Sequence, residues 1–317
     1  MHWERALVPA SNTRFHSGSG TSVATLREIR RRIGGVKNTQ KITKAMKMVA
    51  VAKLRRAQNA MIAARPYARA MRGMLGDLAG TGQDEANPLF QAREVRRVAV
   101  IVVTADRGLC GAFNSNVIRA ANDHILSAYG DLATHGDIRV VTVGKKGTDF
   151  FAKRGPQPSA RYVGVFSALE FHTARLIAQQ AVDWFVRGEV DRVDIVYNEF
   201  KNVAQQRLTI EQFLPVPPLE AEHGVQANPI QYIYEPSGPE IMADLLPRHL
   251  NFQVWRVLLE SNAAEQGARM SAMANATENA KELIRDLALS YNKARQAGIT
   301  KELLEIVAGA EALRMAG

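Results

Sequence analysis

Three short stretches of the chain hold residue types that could do chemistry. Asp106-Arg107-Gly108-Leu109-Cys110-Gly111-Ala112-Phe113-Asn114 joins an apolar run to a helical pattern, the place where an α/β fold offers a helix N-terminus to an anion. Its spacing matches neither the GxGxxG fingerprint nor the Walker loop, and Asp106 would repel a phosphate. It reads as a tight strand-to-helix turn, with Gly108 and Gly111 supplying the permissive dihedrals. Gly144-Lys145-Lys146-Gly147-Thr148 has part of a Walker composition. The leading glycine is missing, and Lys146 and Gly147 separate the lysine from the threonine, so a surface turn is expected. Cys110 beside Arg107 could be an activated thiol. No histidine is close in sequence, and a small core residue at a turn is the expectation.

No GxSxG elbow, HExxH helix or paired-carboxylate motif occurs. The seven histidines are scattered and Cys110 is the lone cysteine, which shows no metal-ligand cluster and excludes an internal disulfide. The residue types predict no catalysis, no cofactor and no metal. With 317 residues, 46% of them apolar, the chain can hold a sizeable core. No run approaches the roughly 18–20 apolar residues of a membrane span.

Charge is the strongest signal. Between Arg27 and Arg72 there are fourteen basic residues against one acid, Glu28, whereas the whole chain carries +10, leaving a remainder of −3. The stretch reads as a long helix. Thr25 precedes Glu28 by three, a capping-box spacing. Leu26, Ile29, Ile33 and Val36 step by 3, 4 and 3, a coiled-coil seam. Asn38-Thr39-Gln40 interrupts it, and Ile42, Met46 and Val49 resume it. Such a helix, about 50 residues at 1.5 Å each, is roughly 75 Å long and would have to project.

The far end mirrors it. Met273, Ala276, Ala280, Leu283 and Leu287 step by 3, 4, 3 and 4, with Tyr291 and Ala294 continuing by 4 and 3, and no proline follows Pro247. That predicts a second helix of about 65–70 residues, roughly 100 Å, weakened at Gly267 and Gly298 by about 1 kcal/mol each. The two would pair most simply as a long antiparallel coiled coil. Between them, residues 98–103, 138–143 and 193–197 read as strands buried on both faces, and 114–128 and 168–187 as helices. This alternation predicts an α/β fold with a central Rossmann-like domain. Residues 207–213 and 230–234 look like edge strands or a hairpin. The expected divisions are 1–24 (extension), 25–78 (N-terminal coiled-coil helix), 79–236 (α/β domain) and 237–317 (C-terminal coiled-coil helix).

Several of these segments resemble one family closely. Leu26-Arg27-Glu28-Ile29-Arg30, Lys37-Asn38-Thr39-Gln40-Lys41-Ile42-Thr43-Lys44-Ala45-Met46-Lys47, Asp106-Arg107-Gly108-Leu109-Cys110-Gly111, Asn292-Lys293-Ala294-Arg295-Gln296-Ala297-Gly298-Ile299-Thr300-Lys301-Glu302 and Glu305-Ile306-Val307-Ala308-Gly309-Ala310 are similar to the motifs of the gamma subunit of rotary ATP synthases. The resemblance implies a central rotor shaft that does no chemistry itself. Its coiled coil would enter the ring of alternating alpha and beta subunits. Its α/β foot would meet an epsilon-type or delta-type stalk subunit and the membrane c-ring. It further implies beta-subunit contacts at Arg295, Gln296, Thr300 and Glu302, with Met46, Lys47 and Arg269 in the same zone.

The first two dozen residues are rich in Ser, Thr and His, hold Arg5 and Arg14 and have Glu4 as their one acid. That composition fits a mitochondrial presequence, and so a peripheral protein on the matrix side of the inner membrane. A disordered bacterial extension, on the cytoplasmic side of the plasma membrane, is the alternative. The functional alternative is a basic helical hairpin that binds nucleic acid. Against it, no aromatic residue occurs between Phe15 and Tyr67 to stack on bases, and the charges encircle the helix. No nucleic-acid partner is expected.

Overall fold

The computed structural model describes residues 25–79, 87–202, 205–217, 235 and 237–316. Its elements run α1 (Leu26–Ala79), β1 (Val98–Val103), α2 (Phe113–His135), β2 (Ile138–Val143), α3 (Lys145–Arg154), β3 (Pro158–Tyr162), α4 (Phe171–Val186), β4 (Arg192–Phe200), β5 (Gln206–Leu214) and α5 (Gly238–Ala316). Residues 25–38 and 281–316 belong to one compact unit, and residues Thr39–Ala280 to the other. Among the described residues, no helix is long and apolar enough to cross a membrane. The first two dozen residues and the expected strand at 230–234 lie outside the described residues.

In the larger unit a five-stranded sheet has the order β3-β2-β1-β4-β5. β1 pairs in parallel with both β2 and β4, and β2 in parallel with β3. β5 returns antiparallel on β4, so residues 207–213 form a hairpin arm at the sheet edge. All six residues of β1 are buried because both faces are covered. Val98, Val100 and Val102 pack with Val117, Ala121 and Ile125 of α2 and Phe151 of α3. Ala99, Ile101 and Val103 share the opposite core with Ile177 and Phe185 of α4, Leu75 of α1 and Leu250, Val254 and Leu258 of α5. Each fully buried Leu or Phe contributes about 1.5–3 kcal/mol, so this second core ties parts of both long helices to the sheet.

Residues 144–148, expected to be a surface turn, open α3 instead. Gly147, Thr148 and Phe151 are its buried face, and glycine and threonine carry no apolar signal from which the helix could be read. β3, with alternating half-buried and exposed residues, likewise gave no continuous apolar run. In the loop after β1 the left-handed residues are Leu109 (φ 62°) and Gly111 (φ 60°); Gly108, expected to share that role, is not among them. α5 starts nine residues before Pro247, at Gly238. The buried stripe Met242, Leu246, Leu250 runs across the proline and offsets its usual cost of about 3 kcal/mol.

The capping box forms. Thr25 N–H donates to Glu28 Oε2 (2.9 Å) and Glu28 N–H to Thr25 Oγ1 (3.4 Å). In the smaller unit, Leu26, Ile29, Ile33 and Val36 are the covered face of α1, and Arg30 donates to the Tyr291 hydroxyl at 2.8 Å while lying over its ring. In the larger unit the seam departs from expectation by one position. Ile42 and Val49 are 59% and 56% exposed, and the covered residues are Thr43, Met46, Ala50, Leu54 and Ala57. Thr277 donates to Thr43 Oγ1 (2.8 Å), which donates on to the Gln40 carbonyl (3.1 Å). Of the stretch expected to interrupt the seam, Asn38 and Thr39 are exposed and Gln40 is half-covered; the covered polar residue is Thr43, whose hydroxyl finds its partners there. In the part of α5 that belongs to the smaller unit, Ile284, Leu287 and Tyr291 are half-covered, whereas Leu283 is exposed. Further along, Leu54 and Ala57 pack on Ala263, and Tyr67 meets the Phe252 ring at 4.9 Å. Going from Thr43 to Tyr67 on α1 takes the partner backward from Thr277 to Phe252, an antiparallel pairing.

Gly144 has φ 92°, and a Cβ there would sit 2.0 Å from the Thr104 carbonyl oxygen. Gly144→Ala is expected to lower the stability of the chain by at least about 3 kcal/mol, read from chemical denaturation followed by circular dichroism.

Candidate functional site

An open α/β sheet offers a ligand crevice beyond the carboxyl ends of its strands, where the strand order reverses. Here that reversal lies between β1 and β4, and the chain fills the crevice itself. Ala105, Cys110 and Phe113 from the loop after β1 pack on Ala264 of α5, with Phe200 and Ala268 against them. Asn198 at the end of β4 donates to the Phe113 carbonyl (3.3 Å).

Asp106 and Asn114 shape the loop. Asp106 accepts from the backbone N–H groups of Lys145 (3.0 Å), Gly164 (2.8 Å) and Phe166 (3.1 Å). Its carboxylate thus stands at the N-terminus of α3, where a phosphate would otherwise be attracted. Asn114 accepts from Ala105 N–H (2.8 Å) and donates to Cys110 Sγ (3.2 Å). Burial pushes the Cys110 thiol pKa up, the opposite of activation, and Cys110 is a buried turn residue.

α5 is fastened to this domain at two places. Arg269 pairs with Glu265 (2.5 Å) and donates to the carbonyls of Gly108 (3.2 Å) and Arg107 (3.5 Å). Glu265 is 4% exposed; burial raises its pKa against the pull of Arg269, and its Oε2 is unpartnered. Thirteen residues earlier, Arg256 grips Glu211 of β5 with two bonds (2.7 and 2.8 Å) and also reaches Tyr197 (3.1 Å) and Glu260 (3.3 Å). Burial by itself would raise the Glu211 pKa, but Arg256 overrides it and holds the carboxyl below its ordinary value. Neither cluster was found from sequence. The i,i+4 spacings Arg256–Glu260 and Glu265–Arg269 were the available signal, but such pairs are usually solvated.

The expected contact residues fall into two groups. Arg295, Gln296, Thr300 and Glu302 are exposed within about two turns of α5 in the smaller unit, with the Thr300 hydroxyl donating back to the Gln296 carbonyl (3.0 Å). Met46 and Lys47 lie in the larger unit, Met46 half-covered in the seam and Lys47 exposed. Arg269 is committed internally: its side chain is 11% exposed, which leaves little of it for a partner. From Ile299 to the end of α5 the described residues are exposed, including Leu303, Leu304, Ile306, Val307, Leu313 and Met315.

In the larger unit α5 fills the ligand crevice and is fastened to the sheet domain by Arg256 and Arg269. The ATP synthase family profile matches residues 25–313. A gamma chain from Chloroherpeton thalassium is 51% identical over 300 residues, covering 92% of this chain and 99% of its own length. One from Chlorobaculum tepidum is 55% identical over 291 residues with the same coverage. A chain of the Euglena gracilis mitochondrial ATP synthase has a TM-score of 0.63 at 21% identity, covering 91% of this chain and 94% of its own. One from the Tetrahymena thermophila central stalk and c-ring structure has 0.57 at 24%, covering 74% and 99%; at these identities both show the fold. The chain belongs to the ATP synthase gamma-chain family, the non-catalytic central-stalk subunit of the rotary enzyme. These curated relatives are bacterial, so the organellar expectation is not supported.

Two stability tests follow. Arg269→Ala leaves Glu265 buried without its cation and is expected to cost the isolated chain about 3 kcal/mol, seen as a lower denaturation midpoint. A residue that served only a partner would leave that midpoint unchanged. His249 is the second case. Burial, then Arg72 and Arg256, lower its pKa from 6.5 to about 4. The unfolded chain therefore binds the proton first, and stability falls as pH drops from about 6.5 to 4, by up to about 3 kcal/mol. Glu260 and Glu265, raised by burial, act with the opposite sign, so the readout is the difference between the parent and His249→Gln. The parent should lose more stability across that window.

Proposed function

We propose that this chain is the shaft that couples rotation of a membrane ring to conformational cycling of catalytic beta subunits. In that role residues 25–78 and 237–317 are the shaft and 79–236 the foot. The observation that carries the reading is the end of α5. Leu303, Leu304, Ile306, Val307, Leu313 and Met315 are all exposed, and a helix that is apolar and uncovered on several faces needs a surrounding partner. A sleeve of alternating alpha and beta subunits would supply one.

Just before that end, Arg295 and Glu302 share one helical face, and Gln296 and Thr300 the next. They are the groups proposed to contact the beta subunits in an orientation-dependent way, with Met46 and Lys47 as further contacts. Arg269 is better read as the fastening of α5 to the foot. Coupling requires contacts that differ between rotor angles, and directional donors and acceptors provide that better than apolar side chains. The fourteen cations of α1 are all exposed. Exposed ion pairs contribute only about 0–1 kcal/mol each, so acidic loops could exchange among them as the shaft turns. The fastenings at Arg256 and Arg269 would carry torque between foot and α5. An epsilon-type or delta-type stalk subunit and the c-ring are the proposed partners of the foot. The complex would sit on the cytoplasmic side of a bacterial plasma membrane, a reading that the bacterial relatives support.

The test is assembly of the purified chain with alpha and beta subunits. One chain per hexamer with raised ATP hydrolysis is expected. Retention on nucleic acid at physiological salt without assembly would favour the helical-hairpin alternative. In membranes, Arg295→Ala with Gln296→Ala should lower ATP-driven proton pumping about tenfold relative to hydrolysis. Lys47→Ser should change it less than about twofold.

A further inference from the structure

On the outward side of the sheet, α2 and α3 enclose an open groove of about 680 Å³ that none of the roles above uses. Its walls are residues 114–122 of α2 and 146–154 of α3, each about 12 Å of helix. The floor is apolar: Ile118 and Phe150 are half-buried, and Phe150 is braced edge-on by the buried Phe151 ring at 5.3 Å. The rim is basic. Arg119, Lys146, Lys153 and Arg154 line it with Asp149 as the one acid. All four cations are exposed, and none is in an ion pair among the described residues. Outside the α1 stretch the chain sums to −3, so a local balance of +3 here runs against the charge of its surroundings.

We propose that this groove docks an acidic, amphipathic helical segment of another subunit of the assembled enzyme. The proposal rests on the stalk reading above. An apolar floor about two turns long between two helices fits the apolar face of a short helix, and cations on both rims fit carboxylates on its flanks. A nucleotide or free phosphate fits less well. The cations are strung along two helices instead of converging on one point, and the groove is open where small-ligand sites enclose their ligand. The anion position at the N-terminus of α3 is already taken by Asp106.

A photo-crosslinking residue placed at Ser115, an exposed position on the α2 wall, tests this in the assembled membrane enzyme. The expected product is a covalent adduct to one polypeptide, mapped by mass spectrometry to a segment with excess Asp and Glu. Its yield should fall about tenfold when Arg119→Gln and Lys153→Gln are combined, with the denaturation midpoint of the chain unchanged. Loss of about half the adduct or less on that double substitution, a neutral or basic target segment, a lipid adduct, or protection by ATP would each overturn the proposal. So would an enzyme that assembles and hydrolyses ATP yet gives no adduct. Failure of the unsubstituted chain to assemble would count against the stalk reading instead.

Discussion

The packing of α5 into the carboxyl-end crevice of the sheet is the contact on which the larger unit depends. Ala264 and Ala268 are small enough to let the helix approach the loop after β1, and Gly267 between them is buried. Close approach brings Glu265 and Arg269 out of water, where the desolvation cost of each is tolerable only because the other is there. The same approach removes the cavity in which an α/β protein would hold a nucleotide. Attachment of α5 and closure of that crevice therefore have one cause.

The seam between α1 and α5 in this unit follows a second compromise. A seam of Leu and Ile alone would lock two helices more firmly, but here Gln40, Thr43 and Thr277 interrupt it with a hydrogen-bonded polar layer. Polar seam residues fix register at some cost in stability. Register fixes which side chains the paired helices present together at each height. The basic exterior of α1 is compatible with this because its cations in this unit are all exposed, off the covered seam.

The two faces of the sheet have different work. One face holds the ends of the long helices through the core around Leu75, Leu250 and Leu258. The other is closed by α2 and α3 alone, which leaves their outer surfaces free. Sequestering Asp106 as the anion at the N-terminus of α3 makes that second face rigid without any ligand.

The sequence by itself determined the elements whose signal is local and repeated. Residues 98–103 are apolar throughout because both faces of β1 are covered. Thr25 and Glu28 sit three apart because one turn brings each to the other's backbone N–H. The terminal motifs by themselves carry the family resemblance. Tertiary structure alone decided which residues of the amphipathic stretches face inward. Ile42 and Val49 are more apolar than Thr43 and Ala50, yet the threonine is covered because Thr277 meets it across the seam. It also decided that Gly147 and Thr148 open a helix, and that Arg269 serves its own chain. Pairing across more than a hundred and fifty residues leaves no trace in local periodicity, since a side chain's environment is set by what arrives opposite it.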